Sequence, residues 1–187
     1  MTCFENYVSP LGNILLAADD EGLTMLGFAE KKDAVSNGHP ILREALRWLD
    51  IYFSGHNPGF TPPLHYLGTP FQMEVWRLLL DIPFGKTTTY GALAKELAKR
   101  RGIRRMAAQA VGGAVGRNPI ALIVPCHRVI GADGSLTGYG GGLDKKARLL
   151  TLEGINFSAF LEEAPPAFLS KFRNTLKSSN RKVFSPF

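Results

Sequence analysis

The sequence predicts an α/β protein in which a strand-rich N-terminal part is followed by a helical and basic C-terminal part. Residues 3–28 contain three short apolar segments separated by turn residues, a pattern typical of antiparallel strands. Residues 69–115 instead carry apolar residues at helical spacing. Between these regions, residues 54–68 are rich in proline and glycine and show no period, which indicates a linker.

This pattern predicts two domains and a tail, at residues 1–65, 66–155 and 156–187. In the first domain we expect a three-stranded antiparallel meander and then one helix. Pro40 fits the first turn of that helix, and Gly55 fits its end. The tail carries no motif that points to a role.

Three helices are predicted in the first part of the second domain, over residues 69–115. Thr69 can cap the first, Pro70 fits its first position, and Gln72 completes a capping box. The next two are expected over residues 89–99 and 103–115. Two short helices joined by a basic turn resemble a helix-turn-helix.

The third of these helices contains Gly112 and Gly113, each of which costs about 1 kcal/mol relative to alanine inside a helix. We expect a compensating close approach of another backbone. That partner is either DNA or a second helix, and the segment itself favours neither.

Basic charge is concentrated in the second domain. Residues 1–65 have a net charge of −4, whereas residues 66–155 have a net charge of +7. Residues 86–117 hold eight basic side chains and one acidic one. Such a density suits a polyanion such as a phosphate backbone, although a solvated basic helix face is the alternative.

Composition excludes several classes of protein. No apolar stretch is long enough to span a bilayer, and the N-terminal residues do not form an export signal. We therefore expect the cytoplasm, or the nucleus in a eukaryote. Thiols stay reduced there, so Cys3 and Cys126 are expected to be free.

Cys126 follows an apolar run, residues 120–124, that predicts a short buried strand ended by Pro125. A lone buried cysteine is most often inert, but a nearby imidazole or a basic field lowers the pKa of a thiol and makes it nucleophilic. Adjacent side chains diverge, so His127 is badly placed to bond Cys126 directly. We expect His127 to take the thiol proton through a water molecule while a carboxylate orients its ring.

Glu153 is the candidate for that carboxylate. Asp144 can cap a helix that Gly154 ends, which places Glu153 in the last turn, where the helix dipole disfavours negative charge. An acid in that position either has a specific partner or is an ordinary surface residue. Before this helix, residues 131–142 contain six glycines around Tyr139, so this loop can wrap a flat ligand or form a plain hairpin.

Three consecutive motifs identify a family resemblance. They are "VGGAVGRNP", "PCHRV" and "GSLTGYGGGLDKKARLLTLEG". In this order they resemble the O6-alkylguanine-DNA alkyltransferase family, also called methylated-DNA-protein-cysteine methyltransferases. The resemblance is strong over residues 69–155 and weak over the N-terminal meander. It implies a ribonuclease H-like α/β domain followed by a winged-helix-like DNA-binding domain that carries the active cysteine.

The resemblance also implies a function and the residues that perform it. The expected reaction is single-turnover transfer of the alkyl group from O6-alkylguanine to Cys126 after base flipping, with O4-alkylthymine as a second candidate substrate. The expected partner is double-stranded DNA that contains alkylated bases, bound by a monomer. His127 and Glu153 would complete the relay, Asn118 would shape the active-site turn, and Tyr90 would donate a proton to the leaving guanine. Contacts to DNA or to the flipped base are expected from Gln72, Arg105, Gln109, Arg117, Tyr139 and Gly140.

The sequence departs from the family pattern at two places. Gln109 stands where many members have an arginine that fills the space of the flipped base, and an amide lacks the charge and cation-π reach of guanidinium. The segment between Tyr90 and Gln109 is longer and adds basic residues that can compensate at phosphates. Only Cys3 among cysteines lies in the N-terminal domain, so we expect no zinc, and the reaction needs no cofactor.

Two other functions compete with repair. A sensor that binds alkylated bases without repairing them would share the fold and the basic helices, but it would not need the acceptor thiol. A thiol hydrolase could use a cysteine, a histidine and an acid, but the adjacency of Cys126 and His127 argues against a protease-like triad.

Overall fold

The computed structural model describes residues 2–30 and 38–155. The N-terminal sheet contains β1 (Cys3–Ser9), β2 (Gly12–Ala18) and β3 (Leu23–Phe28), paired antiparallel in the order β1-β2-β3. The predicted meander is confirmed. The central strand β2 is buried from Ile14 onward, and its alternate residues Ile14, Leu16 and Ala18 belong to the hydrophobic core.

Helix α1 (Pro40–Phe53) packs on this sheet. Proline lies in its first turn, and Gly55 follows its end with a φ of 85°, a left-handed conformation that glycine adopts without strain. Its buried stripe includes Leu42, Leu49 and Tyr52. Tyr52 thus places a buried hydroxyl group in the last turn of the helix.

Helices α2 (Pro70–Leu80), α3 (Tyr90–Arg100) and α4 (Ala108–Gly116) form the helical part. The capping box of α2 is present. The expected start of α4 at residue 103 is wrong, because the N–H of Ile103 donates to Ala98 O and closes the end of α3. The five residues from 103 to 107 therefore cross between the helices without joining either.

The predicted strand over residues 120–124 is also wrong, because this segment is a series of turns. Leu122 has a φ of 70°, and the Asn118 side chain bonds both Ile120 N and Val124 O, two groups that a strand would pair with a neighbour. One isolated bridge, between Leu26 and Ile120, joins the segment to β3. Cys126 consequently begins a single 3-10 turn instead of ending a strand.

Two short strands and one helix complete the described part of the chain. The short strands β4 (Thr88–Thr89) and β5 (Val129–Ile130) pair in parallel. Helix α5 (Leu143–Leu152) begins after Gly142, so the prediction that Asp144 caps it is wrong. Asp144 lies in the first turn, where the helix dipole favours an acid.

Residues from both parts of the chain share one core, which includes Leu16, Leu49, Leu79, Ile120 and Leu149. The boundary between residues 65 and 66 stays a prediction. Within the described ranges, none of the helices combines the length and the apolar character that crossing a bilayer requires. The helix expected near residues 166–177 lies outside the described residues.

Candidate active site

Cys126 lies at a pocket of about 260 Å³ between the N-terminal sheet, α4 and the glycine-rich loop. Cys126 is buried, with an exposed fraction of 8 %, and it is one of the residues that line this pocket. The lining includes Tyr90, Asn118, Tyr139 and Gly140, all of which the sequence singled out. These four residues and Cys126 are therefore brought together.

Asn118 holds the turn that presents the thiol. Its Nδ2 donates to Val124 O at 2.8 Å, and its Oδ1 accepts from Ile120 N at 3.0 Å. The same side chain hydrogen-bonds Cys126. One amide thus fixes the irregular backbone and contacts the sulfur that this backbone positions.

His127 is fully buried and pairs with Glu153. The distance from His127 Nε2 to Glu153 Oε1 is 2.6 Å, so Nε2 carries the proton in the neutral ring and Nδ1 is left as the basic atom. Nδ1 has no hydrogen-bond partner among the described residues. Cys126 lines the pocket while His127 does not, which agrees with the expected divergence of neighbouring side chains.

Glu153 is a buried ion with several donors. Oε1 accepts from Tyr52 Oη at 2.9 Å and from Arg128 Nη2 at 3.1 Å in addition to His127. Oε2 accepts from Arg128 Nε at 2.9 Å and from Gly85 N at 3.0 Å. Burial alone would favour the neutral acid, but the hydrogen bonds and charges of His127 and Arg128 outweigh it and lower the pKa of Glu153 to about 2.

The resting site holds a neutral thiol and a neutral imidazole. Burial raises the pKa of the Cys126 thiol, although a hydrogen bond from Asn118 and the charge of Lys146 oppose the rise. Burial likewise lowers the pKa of His127, against the hydrogen bond of Glu153. The expectation that the surroundings lower the pKa of the thiol in the resting protein is therefore wrong, because desolvation is the larger effect.

Tyr90 reaches the pocket from the start of α3. Its hydroxyl donates to Thr137 O at 3.1 Å, within the glycine-rich loop. Tyr139 follows two residues later, with a buried hydroxyl that has no partner among the described residues. A Cβ on Gly141 would lie 2.8 Å from the Tyr139 ring and 3.0 Å from Phe28, so this position needs glycine for the loop to close on the sheet.

The other predicted DNA contacts lie outside the pocket. Gln109 and Arg117 are exposed on α4 and at its end, eight residues apart, with Gly113 between them on the same face. Arg105 is exposed in the segment between α3 and α4. Gln72 lies at the start of α2, where its side chain accepts from Thr69 N at 2.9 Å.

Part of the basic charge is neutralised within the protein. Arg100 pairs with Asp81 and Glu96, and Arg101 pairs with Glu74. The basic surface is thus smaller than the sequence count indicates.

Sequence reasoning missed three residues of the site, Tyr52, Arg128 and Lys146. Tyr52 belongs to the apolar stripe of α1, where an aromatic residue at helical spacing indicates a core residue and not a functional one. Arg128 and Lys146 are buried, with exposed fractions of 7 % and 0 %, although basic residues are most often at the surface. For Arg128 the one available signal was its place directly after Cys126 and His127.

In residues 2–30 and 38–155, no three side chains of His, Cys, Asp or Glu converge as metal ligands.

Comparisons with known proteins relate nearly the whole described chain to one family. The profile of "6-O-methylguanine DNA methyltransferase, ribonuclease-like domain" matches residues 3–66, and that of the DNA binding domain of the same family matches residues 70–155. A methylated-DNA--protein-cysteine methyltransferase of Methanosarcina acetivorans is 48 % identical over 79 % of this chain and 96 % of its own.

Solved structures give the same result. O6-methylguanine methyltransferase of Mycobacterium tuberculosis is 42 % identical, with a TM-score of 0.69 over 89 % of this chain and 96 % of that one. The structure of Mycobacterium tuberculosis OGT in complex with DNA is 44 % identical, with a TM-score of 0.68 over 80 % of this chain and 91 % of that one.

Proposed function

The chain belongs to the O6-methylguanine DNA methyltransferase family, and from this premise we propose that it repairs DNA by moving an alkyl group from O6-alkylguanine to Cys126. The observation that carries the proposal is the position of the thiol. Cys126 lines a pocket, and the next residue in the chain, His127, is buried and paired with Glu153 at 2.6 Å.

The relay supplies the nucleophile when substrate is bound. His127 Nδ1 takes the thiol proton through a water molecule, and the ionised Glu153 stabilises the resulting imidazolium through Nε2. Because the resting thiol is protonated, the thiolate forms only as the reaction begins. This arrangement protects the cysteine from other electrophiles.

The chemical step is a displacement at the alkyl carbon. A bond forms between Cys126 Sγ and that carbon while the bond from carbon to O6 breaks. Tyr90 donates a proton to the departing guanine and is reprotonated, so the net change moves one proton from the thiol to the base. The products are unmodified guanine and a thioether, and no cofactor takes part.

Alkylated DNA reaches this pocket only after the base leaves the duplex. The sulfur is nearly buried, so the base rotates out of the stack at a cost of a few kcal/mol. We assign the docking face to Gln109, Gly113 and Arg117 of α4 together with Arg105, with Gln109 entering the space of the flipped base. Gln72, Tyr139 and Gly140 are proposed as further contacts, the last two to the base itself.

A thioether is not readily hydrolysed, so each molecule acts once. We propose that the protein works as a monomer on duplex DNA, in the cytoplasm or in the nucleus of a eukaryote, without a membrane partner. O4-alkylthymine is a second substrate of the same displacement.

The test uses the second cysteine as a matched control. Duplex DNA with a labelled O6-methylguanine is incubated with the wild type, Cys126→Ser and Cys3→Ser, and the labelled peptide is mapped. Cys3 is also buried but lies on β1, outside the pocket lining. Label on the Cys126 peptide in the wild type and Cys3→Ser, and none in Cys126→Ser, is expected. Transfer by Cys126→Ser at the wild-type rate would refute the assignment of the acceptor.

A further inference from the structure

Tyr52 joins the N-terminal part of the chain to the relay. It lies in the last turn of α1, and its side chain is fully buried. Its hydroxyl donates to Glu153 Oε1 at 2.9 Å and lies 3.2 Å from His127 Nε2. The phenolic oxygen, the carboxylate oxygen and the imidazole nitrogen therefore form a closed triangle.

The position of this hydroxyl is fixed by aromatic packing. The Tyr52 ring stacks on Trp48 with a centroid distance of 5.0 Å, and it meets Phe53 and Phe84 edge-on at 5.4 and 6.1 Å. A ring held on three sides cannot swing its hydroxyl away from Glu153. The triangle is thus preorganised before DNA binds.

Packing alone does not account for the hydroxyl. Phenylalanine would make the same ring contacts without the cost of burying a phenol, so the polar group is explained by its partner. Many buried tyrosines satisfy a backbone carbonyl, whereas this one bonds the carboxylate oxygen that also accepts from His127. Burial and the charge of Glu153 raise the pKa of Tyr52 well above its ordinary value, so it remains a donor.

We propose that Tyr52 is a positioning residue of the relay, whose hydroxyl holds Glu153 Oε1 and the His127 ring so that Nδ1 stays placed to take the thiol proton through the bridging water molecule. The N-terminal domain then takes part in forming the nucleophile. This inference rests on the proposed function, because it concerns the reaction of Cys126.

The groups that act electrostatically on the triangle come from several elements. Arg128 lies in the 3-10 turn and bonds both oxygens of Glu153. Lys146 of α5 acts on His127, and Tyr139 of the glycine-rich loop acts on Tyr52. Removal of the Tyr52 hydroxyl leaves all these groups in place.

The first experiment compares Tyr52→Phe with Tyr7→Phe. Tyr7 Oη donates to Asp50 Oδ1 at 3.0 Å and its ring stacks on Phe53, so the control removes another bond from a tyrosine to a carboxylate, one that is exposed and lies away from the relay. Single-turnover transfer gives two separate readouts, the fraction of active protein and the rate constant of that fraction. A structural role would lower the active fraction only.

We expect Tyr52→Phe to slow transfer about tenfold at an unchanged active fraction and DNA affinity, an effect of the size that loss of an orienting hydrogen bond has at metal-binding histidines. The pH of half-maximal rate should move upward, because a loosely held ring is a poorer acceptor of the thiol proton. Tyr7→Phe should keep the wild-type rate and pH profile. A wild-type rate constant and pH profile in Tyr52→Phe would overturn the inference.

A double-mutant cycle with Glu153→Gln tests whether Tyr52 acts through the carboxylate. In the Glu153→Gln background, Tyr52→Phe should change the slow transfer rate less than twofold. A full tenfold loss in that background would show that Tyr52 acts elsewhere and would overturn the inference. Failure of the wild type to transfer any alkyl group would instead refute the proposed function, so the two failures are distinguishable.

Discussion

Tyr90 and Lys146 donate to the same carbonyl oxygen, that of Thr137, at 3.1 and 2.6 Å. Lys146 Nζ also donates to Val129 O at 2.6 Å, directly after the 3-10 turn that begins with Cys126. One buried ammonium thus ties the glycine-rich loop to the turn that carries the thiol. Tyr90 depends on the same loop for its position.

Lys146→Met should therefore slow alkyl transfer and change the pH dependence of stability. Burial lowers the pKa of Lys146 to about 8 from 10.5. Between these pH values the unfolded chain holds a proton that the folded protein has lost, so the free energy of unfolding of the wild type should rise relative to Lys146→Met, by up to about 3 kcal/mol. Urea unfolding of both proteins across this window measures the difference. A constant difference would contradict the prediction.

Glu153→Gln should destabilise the protein at neutral pH by about 3–5 kcal/mol, because it leaves the buried Arg128 without its anion. The folded pKa of Glu153, about 2, lies below the ordinary value of 4.5. The stability that its ionised form contributes is thus complete above pH 4.5 and is lost as the pH falls toward 2. Chemical unfolding should show the two proteins converging in that window, and parallel curves would argue against the buried ion pair.

Gly113→Ala distinguishes the two explanations of the glycines in α4. Among the residues that the structure describes, a Cβ on Gly113 would meet only Arg117 Nη1, at 3.7 Å, so packing against these helices does not require glycine there. The variant should gain about 1 kcal/mol of stability from helix propensity. If DNA approaches this face of α4 closely, the affinity of the variant for duplex DNA should fall at the same time. Thermal unfolding and a binding titration check both effects, and unchanged affinity would remove DNA as the reason for the glycine.

Arg105→Gln should reduce the salt dependence of DNA binding. Each lost phosphate contact lowers the slope of log affinity against log salt by about 0.9. Arg101→Gln is the matched control, since Arg101 already pairs with Glu74 at 2.7 Å and lies over Phe71. Titrations at several salt concentrations should give a smaller slope for Arg105→Gln than for Arg101→Gln. Equal slopes would exclude a phosphate contact by Arg105.

Local rules predicted the elements whose signals lie within the element itself. The capping box of α2 follows from Thr69 and Gln72, and the end of α1 follows from Gly55. The strand expected over residues 120–124 failed for a reason outside that segment. The Asn118 side chain bonds the backbone of residues 120–124, and Leu26 of β3 forms a bridge with Ile120 at the start of this segment. An apolar run of residues indicates neither contact.

The site shows the same limit. The divergence of Cys126 and His127 and the unusual place of Glu153 could be argued from neighbouring residues. The role of Tyr52 could not be predicted in this way, because Tyr52 bonds Glu153, a residue far away in the chain, and its position in the helix is that of a core residue. The raised pKa of the thiol likewise depends on burial, which the sequence indicates only as a tendency.

The proposed mechanism requires the sulfur of Cys126 to keep one alkyl group for each molecule of protein. Equal amounts of the protein and of duplex DNA with one O6-methylguanine are mixed, and the intact protein is weighed by mass spectrometry before a second equal portion of DNA is added. We predict that the mass increases by one methyl group in place of one hydrogen atom, and that the second portion stays unrepaired. An unchanged mass, or repair of the second portion, would contradict the account.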